Sequence, residues 1–203
     1  MSLIVDCSFD CTRFLPALKE AGVISIGRYI SRGGGSKCAT PAEAEAFQKC
    51  GMKMFLIYEM FGRPFGAATG QQDGKFAVHQ AKALGAPLDG STFIANAEDW
   101  DPPMSVMGAI KADAAAFKAA IAPAFKLWEY ASGGVNDELY ADEMIDGRWI
   151  TQSHGFRGSP AAIAGARYEM LQKLPIRIHG LEFDPNVMRD PNVVPGFIPF
   201  AAA

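Results

Sequence analysis

The feature that most constrains this chain is an alternation of short apolar runs with amphipathic segments, repeated in one phase along its 203 residues. Leu3-Ile4-Val5 reads as a buried strand ending in Asp6, and residues 12–21 carry Phe14, Leu15 and Leu18 at helical spacing before Gly22. Residues 23–30 form a second strand. Thr40-Pro41-Ala42-Glu43 then starts a helix, with Thr40 as N-cap, Pro41 in the first turn and Glu43 completing a capping box; it runs to Cys50 and stops at Gly51. A third strand over 52–58 leads into a Gly-rich loop over 61–74, a helix over about 73–84 and a fourth strand at Phe93. The pattern continues with a helix over 107–122, a strand over 126–130, a helix over 136–144 and a strand over 148–151. In the last third, helical spacing covers 159–174, and 177–183 gives a final strand ending in Glu182 and Asp184.

Crossovers of helix length make neighbouring strands parallel. Two architectures satisfy that, an open doubly wound sheet and a closed barrel. The open type binds phosphate through Gly-x-Gly-x-x-Gly directly after its first strand, and residues 7–13 contain no glycine. The expectation is therefore an α/β fold, an abbreviated or irregular (β/α)8 TIM-like barrel, in one domain over residues 1–203. Gly33-Gly34-Gly35 lacks the Lys-Ser/Thr ending of a phosphate loop and reads as a flexible substrate or lid loop. A phosphorylated small-molecule substrate has no other support.

Composition excludes several function classes. A formal net charge of −3 without a basic cluster argues against nucleic acid as partner. No apolar run is long enough to span a bilayer, and no basic region followed by a long apolar stretch opens the chain, so a soluble monomer without a conventional signal peptide is expected. Such a protein would reach a cell wall by phage-type lysis or a dedicated secretion system. Cys7, Cys11, Cys38 and Cys50 form no Cys-x-x-Cys pair and His79, His154 and His179 are scattered, so neither a zinc site nor another cofactor is expected. The cysteines read as buried thiols, with a Cys38–Cys50 disulfide left open.

Barrel enzymes place their chemistry at the carboxyl ends of the strands. In order, those ends carry Asp6; Arg28 and Tyr29; Tyr58 and Glu59; Glu98 and Asp99; Tyr130; Trp149 with Gln152; and Glu182 with Asp184. The fourth end, Asn96-Ala97-Glu98-Asp99-Trp100-Asp101 before Pro102-Pro103, is the most acidic, and an acid beside other acids and an aromatic ring has a raised pKa suited to proton donation. The plain alternative is a solvated loop at a helix start. Aromatic faces suit sugar rings, and paired carboxylates suit glycosidic cleavage, where one protonates the leaving oxygen and another stabilises the cationic sugar or activates water.

Val-Asp-Cys-Ser at Asp6, Gly-Arg-Tyr-Ile at Gly27, Leu-Ile-Tyr-Glu at Tyr58, Ile-Ala-Asn-Ala-Glu at Glu98, Trp-Glu-Tyr-Ala-Ser-Gly at Tyr130, Trp-Ile-Thr-Gln-Ser at Trp149 and Leu-Glu-Phe-Asp-Pro-Asn near the end form an ordered set. That set resembles the glycoside-hydrolase-like barrel domain related to family 25 lysozymes, of the Rv2525c-like type. The resemblance implies a lysozyme-like hydrolase of a cell-wall polysaccharide such as peptidoglycan. It implies Glu98 as proton donor, Asp6 with Glu182 or Asp184 as supporting carboxylates, and Tyr58, Tyr130 and Trp149 lining the cleft. Arg28, Tyr29, Glu59, Asn96, Asp99 and Gln152 complete the candidate substrate-binding set. One departure stands out: lysozymes of this type show Asp-x-Glu where this chain reads Asn96-Ala97-Glu98. Asn96 can bond an acetamido group or orient a water but cannot be an anion. An alternative register would use Asp99 and Asp101, and a second functional reading is a non-catalytic, glycan-binding barrel.

Overall fold

The computed structural model describes residues 2–97 and 101–200. Seven strands run parallel in chain order: β1 (Leu3–Asp6), β2 (Val23–Ile30), β3 (Lys53–Tyr58), β4 (Phe93–Ala97), β5 (Lys126–Ala131), β6 (Gly147–Thr151) and β7 (Met170–Gln172). A short strand β8 (Ile176–Ile178) then pairs with β9 (Leu181–Met188). β9 is antiparallel to both β7 and β1 and closes an eight-stranded barrel. The single final strand expected over 177–183 is thus a hairpin. His179 and Gly180 turn it at φ 50° and 79°, two left-handed residues as a two-residue hairpin loop requires. Glu182 and Asp184 lie within β9, whose reversed direction puts its start, not its end, beside the carboxyl ends of the other strands.

Side chains alternate across each strand and build two apolar layers. Ile57, Phe93, Ala95, Trp128, Trp149 and Met170 fill the lumen. Val5, Ile26, Leu56, Ile94 and Leu127 face outward against the helices. The helices are α1 (Leu15–Glu20), α2 (Pro41–Cys50), α3 (Ala67–Ala83), α4 (Met107–Ile121), α5 (Gly133–Ala141) and α6 (Ser159–Ala164). The start of α2 forms as its sequence dictates, Thr40 Oγ1 accepting from the Glu43 amide at 3.2 Å, and Gly51 closes the helix at φ 62°. Only half of the capping box is made, because the Glu43 carboxylate turns to Arg28 instead.

α3 begins well before the expected residue 73, and two of the glycines assigned to a loop lie inside it. A Cβ on Gly70 would stand 2.1 Å from the carbonyl oxygen of Asp113, and one on Gly74 2.9 Å from that of Phe117. These glycines let α3 and α4 cross at backbone contact. The helix expected over 159–174 stops at Ala164, with Ala166 at φ 50°, and its remainder becomes β7. All four thiols are free, Cys7 and Cys11 buried, Cys38 and Cys50 half-buried. Among the described residues no helix is long and apolar enough to cross a membrane.

Candidate functional site

β1 sends Ile4 into the lumen, Val5 outward and Asp6 back into the lumen at the strand's carboxyl end. Register then decides its neighbours. Asp6 faces Asp184 across the β1–β9 pair, Asn186 opposes Ile4 on the same face of β9, and Gln172 of β7 opposes Asn186. The Asn186 amide nitrogen donates to Asp6 Oδ2 at 2.8 Å and to the Asp184 carbonyl at 3.1 Å, while its oxygen accepts from Trp149 Nε1 at 2.9 Å. Gln172 donates to the same Asp6 oxygen at 3.2 Å and accepts from the Tyr130 hydroxyl at 2.6 Å. The Tyr130 and Trp149 rings lie 4.6 Å apart. Gly27 leaves the space for this arrangement, since a Cβ there would stand 2.5 Å from the Phe55 ring and 2.8 Å from Asp6 Cβ.

Burial dominates the electrostatics. Asp6 is closed to solvent, and that desolvation pushes its pKa up to about 7, against the pull of hydrogen bonds from Asn186, Gln172 and, most weakly, the Tyr29 hydroxyl, and with a further push from Asp184. Its Oδ1 meets no hydrogen-bond partner among the described residues. Half-buried Asp184 is also raised, by burial first and then by Glu182, which is itself exposed. Burial and the charges of Asp6 and Glu59 push the Tyr29 hydroxyl up, so it remains a neutral donor. Glu59 forms an ion pair with Lys37, whose ammonium lies 4.9 Å from the centre of the Tyr29 ring. Asp6, Tyr29, Tyr130, Trp149 and Asp184 thus gather at one end of the lumen, with Glu59 and Glu182 nearby.

Other candidates stand elsewhere. Asn96 turns away from the lumen, donating to both carboxylate oxygens of Glu129 at 3.2 and 3.1 Å and accepting from Arg63 Nη2 at 3.3 Å. Arg28 lies behind β2, fully buried, with its Nε 2.7 Å from Glu43 and a further bond to the Cys7 carbonyl. The Tyr58 ring packs among the helices, 5.4 Å from Phe117 and 6.4 Å from Phe76. Gln152 follows β6 and contributes a backbone donor to the Gln172 carbonyl at 2.9 Å. Glu98 and Asp99 lie outside the described residues.

Gln172 and Asn186 are the site residues that sequence reasoning overlooked. Asn186 sits two residues after Asp184, so strand alternation through Pro185 is the signal that would have found it. Gln172 offers no such signal, because its segment carries helical spacing. A second buried polar cluster occupies the helix side of the barrel. Arg63 binds Asp113 through two nitrogens at 2.6 and 2.9 Å and approaches Asp73 at 3.4 Å, tying the loop after β3 to α3 and α4. Among the described residues no group of three His, Cys, Asp or Glu is placed to hold a metal ion.

This architecture is shared with known proteins. The Tat-secreted protein Rv2525c of Mycobacterium tuberculosis, solved with HEPES, superposes with a TM-score of 0.75 at 20% identity, covering 94% of this chain and 96% of that one. The catalytic domain of endolysin ply40 from bacteriophage P40 of Listeria monocytogenes gives 0.65 at 19% identity over 94% of each chain. The modular autolysin LytC of Streptococcus pneumoniae, solved with a synthetic peptidoglycan ligand, gives 0.62 at 12% identity over 91% of this chain and 46% of that one. At such identities the likeness is one of fold. No curated protein matches the chain in sequence. The family model of the Rv2525c-like, glycoside hydrolase-like domain does match, over residues 16–140, which is more than half of the 203. The chain belongs to that family.

Proposed function

We propose that the protein hydrolyses a glycosidic bond in a cell-wall glycan such as peptidoglycan at this end of the lumen. Glu98 serves as proton donor, and Asp6 with Glu182 or Asp184 supplies the supporting carboxyl groups, the buried Asp6 as the neutral member and its β9 partner as the one able to ionise. The observation that carries the reading is the carboxyl pair Asp6 and Asp184, facing each other across β1 and β9 beside Tyr29 and Tyr130. A glycosidase needs one carboxyl held neutral and another able to ionise, and unequal burial of two adjacent acids produces that difference. The endolysin and autolysin folds, the latter solved with a peptidoglycan ligand, support the substrate class.

A second reading, a glycan-binding barrel without catalysis, is favoured by one observation. Asn96, the amide where lysozymes of this type carry a carboxylate, bonds Glu129 and Arg63 on the helix side. Release of reducing ends from purified peptidoglycan separates the two. Hydrolysis predicts release by the wild type and a loss of about 10² to 10⁴ in rate for Glu98→Gln, the usual worth of general acid help. Equal inertness of wild type and Glu98→Gln, with both binding the glycan, would leave only the binding reading.

A further inference from the structure

The hydrogen-bond directions around Asp6 follow from donor chemistry. An indole N–H can only donate, so the Asn186 atom 2.9 Å from Trp149 Nε1 is its carbonyl oxygen. Its NH2 group therefore faces Asp6 Oδ2 at 2.8 Å and the Asp184 carbonyl at 3.1 Å, and both amide protons are used. Gln172 brings a second N–H to the same Oδ2 at 3.2 Å, with its own oxygen held by the Tyr130 hydroxyl. Two donors converge on Oδ2, which is the environment of a carbonyl or charged oxygen. Oδ1 makes no hydrogen bond among the described residues, and the Tyr29 hydroxyl beside the carboxyl group is the weakest of its side-chain donors.

We infer that neutral Asp6 carries its proton on Oδ1 and offers it as a hydrogen bond to an acceptor oxygen of a ligand entering the barrel, with Asn186 and Gln172 as the positioning residues. Resting on the reading of this end of the lumen as a glycan site, the inference names the ligand chemistry: an ether, acetamido carbonyl or carboxylate oxygen of a sugar. An ionised Asp6 would present that oxygen with a bare carboxylate and repel it. Binding is therefore linked to protonation.

Among the described residues Asp184 holds Asp6 toward its neutral form, while the Tyr29 hydroxyl joins Asn186 and Gln172 as a donor that favours the charged form. Asp184 and Glu182 from β9, Tyr29 from β2, Tyr130 from β5 and Glu59 after β3 bring no positive charge to Asp6, and Lys37 is engaged by Glu59. With a midpoint of about 7, the protonated fraction falls so that apparent affinity weakens roughly 30-fold between about pH 5.5 and about pH 8.5.

The probe is the soluble N-acetylglucosamine–N-acetylmuramic acid disaccharide, titrated by calorimetry at those two pH values, alongside a carboxyl NMR titration of protein carrying carbon-13-labelled aspartate. The wild type is expected to bind more tightly at the lower pH, with an Asp6 signal titrating near neutrality. Asp6→Asn is expected to bind equally at both, because its C=O turns to the two amide donors and its NH2 replaces the Oδ1 proton. Asn186→Leu removes a donor that favours the charged form, so the Asp6 midpoint and the pH at which affinity falls both rise. A merely structural role for Asn186 would weaken binding without moving either midpoint. An Asp6 signal already ionised at the lower pH, or wild-type affinity equal at both, overturns the inference. Absence of binding at either pH overturns the glycan assignment, while the carboxyl titration separately decides the protonation of Asp6.

Discussion

Asp6 makes folding itself a protonation equilibrium. Its pKa moves from 3.8 to about 7 on folding, so between those values the folded chain holds a proton that the unfolded chain has released. The stabilisation from that proton is complete below the lower value and is lost as pH rises through the upper one. At about 1.4 kcal/mol per pH unit the loss is on the order of 4 kcal/mol, and Asp184, raised as well, adds in the same direction. Urea unfolding of the wild type is expected to show lower stability at pH 8 than at pH 5, by about 2.5 kcal/mol from Asp6, because at pH 5 the unfolded carboxyl is already ionised and only the span up to the folded midpoint contributes. Asp6→Asn, whose amide does not titrate, should remove most of that difference; an unchanged difference would place the titrating group elsewhere. The strand-end position of Asp6 was legible in the sequence, since Leu3-Ile4-Val5 leaves little choice about where β1 ends. Asn96 was not, because Ala95 and Ala97 fit either face, and only the buried partners Glu129 and Arg63 decide that the amide points outward.

At the scale of elements, the α3–α4 crossing shows glycine acting against its usual meaning. Alanine is the better helix former by about 1 kcal/mol, yet a methyl group on Gly74 would meet the Phe117 carbonyl at 2.9 Å and Ala120 Cβ at 2.7 Å. Backbone cannot rotate out of the way, so the clash wins and Gly74→Ala should destabilise by about 1–3 kcal/mol in a thermal melt. A neutral or stabilising result would mean that the helices separate freely. The glycines over 61–74 read as a loop because sequence spacing carries no information about how near another helix comes. The same crossing is pinned by Arg63, whose removal leaves Asp73 and Asp113 buried together with less compensation. Arg63→Met should cost about 3–5 kcal/mol, the range for breaking a buried ion pair from one side, measured by urea unfolding at neutral pH. Arg32 still reaches Asp73 at 2.9 Å, which places the expected loss toward the lower end.

For the whole molecule, closure depends on a strand that runs the wrong way for a repeating strand and helix pattern. Gln172 ends β7 and Leu181 starts β9, a separation too short for a helical crossover, which takes a dozen residues or more. Once β7 is recognised, β9 must return antiparallel. Two features hid this: helical spacing across the segment containing β7, and Pro185, which lacks a backbone donor and so argues against a strand that continues past Phe183. The chain places Pro185 opposite Val5 and still sends its carbonyl to the Lys173 amide at 2.7 Å, so the strand passes through it. Because β9 bonds β1 on one side and β7 on the other, opening it breaks the ring and exposes Asp6, Asn186 and Met188 together. Its amides should therefore exchange with solvent only by the global unfolding of the barrel, at the same free energy as those of β1. β8 pairs with β9 alone and can leave without opening the ring, so its amides should exchange by a cheaper local opening. Native-state hydrogen exchange over a denaturant series measures this directly. Merging of the β9 and β1 isotherms into one unfolding limb, with β8 below them, is the expected outcome; a β9 that opens with β8 would make the closing strand a detachable hairpin and the Asp6 site conditional on its docking.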